Sequence, residues 1–306
     1  MQKDYWTGKG VLITGAGGFV GTNLTKYLAR RGAHVVGISR DGRAGVKLDT
    51  QNKVSLFHLV VQKKPHVVFH LAADALVEEG EQKPYETIKN NIISSLNILE
   101  AARVYKISRV VIASTVHVYG DGASPFYEDD PPRPSRPYET SKTCVDIIAQ
   151  SYADTFHLPV LIPRFVNIYG PGDTNRSRLI PKTITAVLGG KRPTLWGGKA
   201  QREYLYIDDA LRAYDALARL SDATIDRNRI FNFGAQDTFT VEEVVGKILA
   251  IANSSVSIRR IKEERSDEII ARRVSWQKAK RILNWQPTVD FATGLKKTLA
   301  WYRTKV

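Results

Sequence analysis

The stretch Val11-Leu12-Ile13-Thr14-Gly15-Ala16-Gly17-Gly18-Phe19-Val20-Gly21 decides the fold of this chain. It begins with an apolar run of strand length and continues into a segment with the periodicity of an amphipathic helix, over 19–31. Gly15 suits a tight turn, Gly18 lets a phosphate approach the backbone, and Gly21 lets the helix pack closely on the strand. The free N–H groups and the dipole of the helix start favour an anion there.

A second predicted strand makes this glycine pattern informative, because the pattern alone also occurs at ordinary strand-to-helix turns. The strand is Ala33-His34-Val35-Val36-Gly37-Ile38, directly after the predicted helix. Strand, glycine turn, helix and strand together form a βαβ unit that binds a dinucleotide. We expect its pyrophosphate over Gly15, Gly18 and Phe19.

Strands and helices continue to alternate through the first half of the chain, as in a doubly wound parallel sheet. Apolar runs predict strands over 67–73 and 109–114, and helical spacing predicts helices over 91–105 and from Tyr138 onwards. The predicted fold class is therefore α/β, with a Rossmann-type doubly wound parallel sheet and a smaller, interleaved C-terminal substrate lobe.

The predicted domains follow from this alternation, which becomes less regular in the second half of the chain. Residues 1–165 form the dinucleotide-binding Rossmann domain, and 204–232 return to it. Residues 166–203 and 233–306 build the substrate lobe.

Length and composition limit the class of protein. The 306 residues are 43% hydrophobic, which is enough for one large or two modest domains. The single cysteine, Cys144, excludes a disulfide framework and a cysteine-based zinc site, and it indicates a reducing compartment. No apolar run reaches the roughly 20 residues of a membrane span. We therefore expect a cytoplasmic protein that binds neither a membrane nor a metal.

The formal net charge of +14 permits a nucleic-acid partner. However, the lysines and arginines are scattered along the chain, and they form no basic block with interleaved aromatic residues. We predict no nucleic-acid partner, because an anionic small molecule suits the excess positive charge equally well.

A tyrosine and a lysine four residues apart, Tyr138 and Lys142, lie on one face of the predicted helix. An ammonium group beside a phenol favours the phenolate and lowers the pKa of the tyrosine towards that of a general base. Such pairs are common on solvated helix faces. This pair is a catalytic candidate because the chain also carries the glycine stretch and Thr115, which follows a predicted sheet strand.

Together these motifs resemble the extended short-chain dehydrogenase/reductases of the nucleotide-sugar epimerase/dehydratase type. The resemblance covers essentially the whole chain and is close to CDP-glucose 4,6-dehydratase and UDP-glucose 4-epimerase relatives. It rests on Thr-Gly-x-x-Gly-x-x-Gly at 14–21, His-Leu-Ala-Ala at 70–73, Asn91, Ser-Thr-x-x-Val-Tyr-Gly at 114–120, Tyr138 with Lys142, Arg-Phe-Val-Asn-Ile-Tyr-Gly-Pro at 164–171, Arg-Glu-Tyr-Leu-Tyr-Ile-Asp-Asp at 202–209, Asn-Phe-Gly at 232–234 and Leu-Asn-Trp-Gln-Pro at 283–287.

The resemblance implies a role for each matching residue. Tyr138 is the catalytic acid/base at a sugar hydroxyl, Lys142 holds the nicotinamide ribose and tunes Tyr138, and Thr115 hydrogen-bonds the same sugar oxygen. Asn91 supports the active-site helix. The implied substrate is a nucleotide-diphosphate sugar, and the implied assembly is a homodimer.

The candidate residues fall into a cofactor-binding set and a substrate-binding set. The cofactor-binding set is Gly15, Gly18, Phe19, Val20, Gly21, Ser39, Arg40, Arg43, Asp49, Leu71, Ala72, Ala73, Asn91, Tyr138 and Lys142. The substrate-binding set is Thr115, His117, Asn167, Arg178, Arg202 and Arg265.

The two positions after Thr115 depart from the dehydratase pattern. Dehydratases of this family usually carry an acidic pair there, and the two carboxyls move protons at C6 and C5 of the sugar. This chain has Val116 and His117 instead. Valine transfers no proton, whereas His117 is able to act as a base near neutral pH. We therefore disfavour dehydration.

The end of the second predicted strand bears on the cofactor. An acidic residue there usually binds the ribose 2′-OH of NAD. This chain has Ser39-Arg40-Asp41 with Arg43 close behind, and an arginine beside a hydroxyl suits a 2′-phosphate. We predict NADP in preference to NAD. NAD is the alternative, with Asp41 at the ribose.

The predicted function is nucleotide-sugar epimerisation through transient oxidation and re-reduction of C4. Three alternatives stay open: an NADPH-dependent reductase of nucleotide 4-keto-sugars, a 4,6-dehydratase with an atypical acid/base, and a non-enzymatic relative that senses the cofactor or binds RNA. The presence of Thr115, Tyr138 and Lys142 argues against the last one.

Overall fold

A computed structural model describes residues 4–122, 124–196, 198–261 and 271–305. Its strands in these ranges are β1 (Gly10–Thr14), β2 (His34–Ser39), β3 (Val46–Lys47), β4 (Val67–His70), β5 (Arg109–Ile112), β6 (Ser114–Thr115), β7 (Val160–Phe165), β8 (Asn167–Tyr169), β9 (Thr194–Trp196), β10 (Gln201–Tyr206), β11 (Ile230–Phe233), β12 (Thr238–Thr240), β13 (Arg259–Ile261) and β14 (Ala271–Arg272).

The helices in the same ranges are α1 (Phe19–Ala29), α2 (Lys53–Lys63), α3 (Val77–Gln82), α4 (Pro84–Val104), α5 (Pro137–Phe156), α6 (Leu179–Leu188), α7 (Ile207–Ala218), α8 (Asp222–Ile225), α9 (Val241–Ala252), α10 (Gln277–Leu283) and α11 (Phe291–Arg303). One turn of 3-10 helix, Val116–Tyr119, follows β6.

The central sheet is parallel, with strand order β11-β7-β5-β4-β1-β2-β3 and with β6 paired to β7. The chain moves outwards from β1 in both directions, so the predicted Rossmann-type sheet is confirmed. The direction in which successive strands are added to the sheet reverses between the neighbouring strands β1 and β4. Parallel sheets bind their ligands outside the carboxyl ends of the strands at such a reversal.

Both faces of this sheet are covered by helices, because its strands alternate their apolar side chains between two cores. In β1, Val11 and Ile13 join the core that also contains Leu24 and Leu28 of α1. Leu12 points the other way, into the core that α2, α4 and α5 complete.

Two smaller sheets lie in the second half of the chain. One has the order β12-β10-β14, with β8 also paired to β10, and the other joins β13 to β9. Residues 204–206 pair with β8 there, whereas α7 packs on α1 and on β5 and β7 of the central sheet. β11 forms an edge of the central sheet. The interleaved domain division stays a prediction.

The structure differs from the predicted elements most at α4, which begins at Pro84 rather than at Asn91. Proline suits the first turn of a helix, and Glu86 complements the helix dipole there. Apolar periodicity does not reveal this start, since several buried side chains of α4 are polar: Thr87, Asn91, Ser94, Ser95 and Asn97.

Candidate active site

The glycine stretch forms a tight turn between β1 and α1. Gly15 has φ +67°, and a Cβ atom there would lie 2.8 Å from the backbone nitrogen of Ala72. A Cβ atom at Gly21 would overlap the carbonyl oxygen of Gly15. Glycine is therefore required at both positions by the backbone packing itself.

Gly18 has a different reason to be glycine. It is the N-cap of α1 in extended backbone geometry, and a Cβ atom there would meet only the Gly15 carbonyl oxygen, at 3.2 Å. Gly18 lines the cleft in front of α1. The N–H groups of the first turn of α1, which has no acidic residue, face the same space. Glycine-lined space in front of a helix N-terminus fits a pyrophosphate.

A cleft of about 600 Å³ opens in front of this turn, at the carboxyl ends of β1, β2 and β4. It is lined by every residue of the predicted cofactor-binding set except Tyr138 and Lys142: Gly15, Gly18, Phe19, Val20, Gly21, Ser39, Arg40, Arg43, Asp49, Leu71, Ala72, Ala73 and Asn91. Its lining fits a dinucleotide. The binding roles of these residues stay predictions.

Sequence reasoning missed one part of the cleft wall, the loop after β4. Asp74 lines the cleft, and its carboxylate accepts a hydrogen bond from the Asn90 side chain at 2.7 Å. Its backbone N–H donates to Asn91 Oδ1 at 2.8 Å. The Asn91 side chain also donates to Ser141 Oγ on α5 at 2.9 Å, so it joins the cofactor loop to the active-site helix.

The end of β2 carries two exposed arginines that already contact carboxylates. Arg43 Nε lies 2.5 Å from Asp41 Oδ2, and Arg40 lies 3.4 Å from Asp74 Oδ1. The backbone N–H and side chain of Arg43 lower the pKa of Asp41 to about 2. A 2′-phosphate at this end of the cleft therefore meets two carboxylates, Asp41 and Asp74, as well as the two arginines.

A buried histidine lies behind the cleft. His70 Nδ1 is 2.7 Å from Thr14 Oγ1, and His70 Nε2 is 2.9 Å from Ser95 Oγ. Burial and the nearby Lys142 lower the pKa of His70 to about 3. The imidazole is therefore neutral, and it holds the ends of β1 and β4 against α4.

Thr115 of β6 and Tyr138 of α5 come together, and Lys142 follows Tyr138 by one turn of α5. The phenol of Tyr138 hydrogen-bonds the Thr115 side chain. Burial raises the pKa of Tyr138 to about 12, while the Thr115 hydrogen bond and the charge of Arg178 lower it in part. The sequence predicted a lowered pKa through Lys142. That prediction was wrong about the net direction, because burial outweighs the charges around the phenol.

Lys142 lies on α5, four residues after Tyr138, and only 5% of its surface is exposed. Burial lowers the pKa of Lys142 to about 8, and the carboxylate of Asp146, one turn further along α5, raises it in part. Asp146 is fully buried and accepts hydrogen bonds from Arg164 Nε at 2.9 Å and from Ser114 Oγ at 3.1 Å. These buried partners hold Asp146 in place below the lysine.

His117 lies beside the same site. Its Nδ1 is 3.2 Å from Oε1 of Glu139, and its ring makes an edge contact with the Tyr138 ring, with centroids 6.2 Å apart. Val116, the other residue that replaces the dehydratase acidic pair, is 3% exposed and belongs to the apolar core.

The predicted substrate-binding residues are spread over several elements. Asn167 is exposed on β8, and its Nδ2 lies 3.5 Å from the Glu203 carbonyl oxygen of β10. Arg202 is half-buried on β10. Arg178 directly precedes α6, lines the cleft and pairs with Asp173 at 3.2 Å. Arg265 lies outside the described residues.

The ranges that the structure describes contain no cluster of three or more His, Cys, Asp or Glu side chains arranged to hold a metal ion. In the same ranges, no helix has both the length and the apolar character needed to cross a bilayer.

Comparison with known proteins identifies the group to which this arrangement belongs. The model of the NAD dependent epimerase/dehydratase family matches residues 11–234. The UDP-N-acetyl-alpha-D-glucosaminuronate decarboxylase of Bacillus cytotoxicus is 33% identical, over 96% of this chain and 98% of the relative. The dTDP-glucose 4,6-dehydratase of Neisseria gonorrhoeae is 29% identical, over 96% of this chain and 95% of the relative.

A solved structure gives the same result for the fold. The UDP-glucose 4-epimerase of Thermus thermophilus, solved in complex with NAD, superposes with a TM-score of 0.87 at 26% identity. The match covers 97% of this chain and all of the epimerase chain. Decarboxylation, dehydration and epimerisation of nucleotide sugars thus all occur among similar proteins.

Proposed function

Because this chain belongs to the NAD-dependent epimerase/dehydratase family of enzymes, we propose that it inverts C4 of a nucleotide-diphosphate sugar, with a bound nicotinamide dinucleotide. The observation that carries the proposal is the hydrogen bond between Tyr138 and Thr115, with the buried Lys142 one helical turn further on and the apolar Val116 directly after Thr115. This arrangement has a proton-transfer group for one sugar hydroxyl, and it has a core valine where elimination requires an acid.

The residues of this chain divide the work at the sugar. Tyr138 takes the proton of the C4 hydroxyl and returns it after inversion. Its high pKa makes the phenolate, once formed, a strong base. As in the resemblance, we assign to Lys142, one turn further along α5, the stabilisation of that phenolate. Thr115 hydrogen-bonds the same oxygen and fixes its orientation.

The cleft in front of α1 holds the cofactor. The turn at Gly15, Gly18 and Gly21 binds the pyrophosphate through backbone N–H groups, and Asn91 fixes the neighbouring loop. When bound, a nicotinamide supplies a hydride acceptor that returns the hydride to the same carbon. Inversion then produces no net redox change.

The rest of the substrate lies towards the smaller sheets. Asn167 and Arg202, on the paired strands β8 and β10, contact the diphosphate, with Arg178 at the border of the cleft. Arg265 is the further residue proposed there. Binding of the remote nucleotide positions the sugar at Tyr138, and proximity supplies much of the rate.

Two further proposals concern cofactor choice and assembly. The exposed arginines Arg40 and Arg43 support NADP over NAD. A homodimer through α4 and α5 is supported by their exposed apolar side chains, of which Ile147 is 55% and Phe156 48% exposed. Sedimentation of the wild-type chain and of Ile147→Glu tests the assembly. A monomeric wild type contradicts it.

The test of the main proposal uses a catalytic amount of cofactor with UDP-glucose, UDP-N-acetylglucosamine, UDP-glucuronate and CDP-glucose. We expect NMR to show the C4 epimer of at least one of these sugars. A stoichiometric demand for NADPH with a 4-keto-sugar, and no epimer from any saturated sugar, would overturn epimerisation and indicate a reductase. A product lighter by one water would indicate a dehydratase.

A further inference from the structure

A buried ion pair lies one helical turn beyond Lys142, and the proposed function does not use it. Asp146 Oδ2 accepts a hydrogen bond from Arg164 Nε of β7 at 2.9 Å, and the two side chains are 0% and 2% exposed. A buried pair contributes little net stability compared with apolar residues of similar volume, because both charges lose their hydration. The pair is therefore a candidate for a role beyond stability.

The carboxylate of Asp146 also joins α5 to the strand that carries Thr115. Ser114 Oγ donates to Asp146 Oδ2 at 3.1 Å, and Ser114 is the register partner of Arg164 where β6 pairs with β7. These two shorter contacts both use Oδ2, whereas Oδ1 has a longer contact, 3.4 Å from Gln150 Nε2. Two neighbouring strands thus fix the carboxylate against the helix.

Arg164 is fixed on its other side by neutral groups. Its Nη1 donates to the Tyr119 hydroxyl at 2.8 Å and to the Glu128 carbonyl oxygen at 3.3 Å. The Tyr119 hydroxyl donates in turn to Asn232 Oδ1 at 2.8 Å, and burial raises the pKa of Tyr119 to about 12. The guanidinium therefore has an ionised partner in Asp146 and neutral partners around Tyr119.

Lys142 and Asp146 are four residues apart on α5, so they are neighbours on one face of the helix. Both side chains are buried, and a buried lysine without a counter-charge favours its neutral form. Burial lowers the pKa of Lys142 to about 8, and the charge of Asp146 raises it in part. Without that charge, the lysine would lose its proton nearer to neutral pH.

Titratable groups also face this part of α5 from neighbouring elements. His70 of β4 is close enough to sense the charge of Lys142, but burial lowers the pKa of His70 to about 3, so the imidazole is neutral. The groups on the other elements packed against α5 are His117 with Glu139, Glu81 with Arg136, and the neutral Asn91. Burial and Asp146 are the influences that set the charge of Lys142.

We propose that Asp146, held in place by Arg164, is a positioning residue that keeps Lys142 in its ammonium form near neutral pH. The proposal deepens the proposed function and rests on it for the part that Lys142 plays at the phenolate. The charge of Lys142 itself is a property of the folded protein, so it is measured without a substrate.

The experiment follows the titration of Lys142 by NMR in the full chain, labelled with isotope-enriched lysine. The resonance absent from Lys142→Met identifies Lys142. We expect Asp146→Asn to lower the titration midpoint by about one pH unit or more, since it removes the carboxylate charge. Arg164→Gln raises the midpoint, because the guanidinium no longer compensates that carboxylate. Opposite shifts distinguish this role from a merely structural one, since either variant breaks the same ion pair.

Asp146→Asn leaves Arg164 as an unpaired buried charge, which is strongly destabilising. The double variant Asp146→Asn with Arg164→Gln has no unpaired charge, and we expect its midpoint to lie below that of the wild type. Asp154→Asn is the matched control, because it breaks another arginine–aspartate pair of α5, Arg229 with Asp154 at 2.6 Å. The midpoint of Lys142 stays unchanged in this control. Melting temperatures show whether each variant folds.

Each outcome decides one of the two proposals. A midpoint that is unchanged in the double variant, or that moves in the same direction in Asp146→Asn and Arg164→Gln, overturns the role of Asp146. Opposite shifts with no C4 epimer from any sugar support the role of Asp146 and overturn epimerisation alone. Where an epimer forms, the high-pH limit of kcat moves with the midpoint. A limit that stays in place contradicts the assigned role of Lys142 at the phenolate, not that of Asp146.

Discussion

The cofactor cleft and the substrate side of this molecule are built in opposite ways. The phosphate turn of the cleft comes from seven consecutive residues, 15–21, and backbone contacts define its shape. The proposed substrate side combines Thr115, Tyr138, Asn167 and Arg202, which lie on four separate elements.

The difference teaches where each region is vulnerable. In the phosphate turn, an added atom fills space that the fold or the ligand needs, so enlarging a glycine does the damage. On the proposed substrate side, the proton transfer is assigned to a single functional group, the phenol of Tyr138. Removing that group therefore affects the reaction and leaves the fold in place.

The largest effect that this comparison predicts is at Tyr138. Tyr138→Phe removes one hydroxyl and keeps the ring, so turnover falls about 10³-fold or more, while cofactor affinity and melting temperature stay near wild type. Steady-state kinetics and calorimetry measure the two quantities. The exposed Tyr85 gives the control Tyr85→Phe. Turnover within tenfold of wild type would show that another group moves the proton.

Enlarging glycines in the phosphate turn is the next test. Gly18→Val places a side chain in the cleft while its Cβ atom meets only one protein atom closely, so we expect cofactor affinity to fall about 100-fold and the fold to persist. Gly21→Val overlaps the Gly15 carbonyl oxygen, so it also lowers the melting temperature. Calorimetry and thermal melts separate these effects.

A glycine with open surroundings supplies the control for that pair. A Cβ atom at Gly246 in α9 would meet no atom within 4 Å beyond the backbone of its own helix, and Gly246→Ala is expected to leave both cofactor affinity and folding intact. Equal cofactor affinity in Gly18→Val and wild type would show that the pyrophosphate binds elsewhere.

The pH dependence of the folding stability tests the buried His70, which lies behind the cofactor cleft. The pKa of His70 is about 3 in the folded protein, against about 6.5 for a free histidine. Between these two pH values the unfolded chain binds more protons than the folded protein. The contribution of the neutral His70 to folding stability is therefore fully present above about pH 6.5 and is lost as the pH falls. The expected loss is up to about 1.4 kcal/mol per pH unit.

The variant His70→Asn isolates this contribution, because asparagine also hydrogen-bonds Thr14 or Ser95 but does not titrate. Buried carboxyls act in the opposite direction: burial raises the pKa of Glu203 to about 7, so its neutral form favours the folded state at lower pH. Denaturant unfolding from pH 7 to pH 4 measures the difference between the two proteins. Parallel pH curves for wild type and variant would contradict the buried neutral histidine.

The smallest expected effect is on cofactor choice. Arg40→Ala weakens NADP about fivefold and leaves NAD nearly unchanged, since the arginine is 69% exposed and solvent screens its charge. Asp41→Asn strengthens NADP binding, because it removes a negative charge near the 2′-phosphate. Equal losses for both cofactors in Arg40→Ala, measured by calorimetry, would remove the basis for an NADP preference.

The sequence by itself determined the parallel sheet and the position of the cofactor cleft. Steric requirements at Gly15 and Gly21 act within a few residues, and the apolar runs that make β1, β2, β4 and β5 are continuous in the chain. The family also followed from motifs in the order of the sequence. Local rules were sufficient wherever the deciding contacts are local.

Only the tertiary structure decided the electrostatics of the catalytic residues. The pKa of Tyr138 depends on how deeply its helix packs, and burial reversed the shift that the neighbouring Lys142 predicted. Asp74 in the cleft wall and Glu139 behind His117 carry no sequence signal either. Desolvation and hydrogen bonds depend on atoms brought together from distant parts of the chain, and spacing along the sequence does not contain that information.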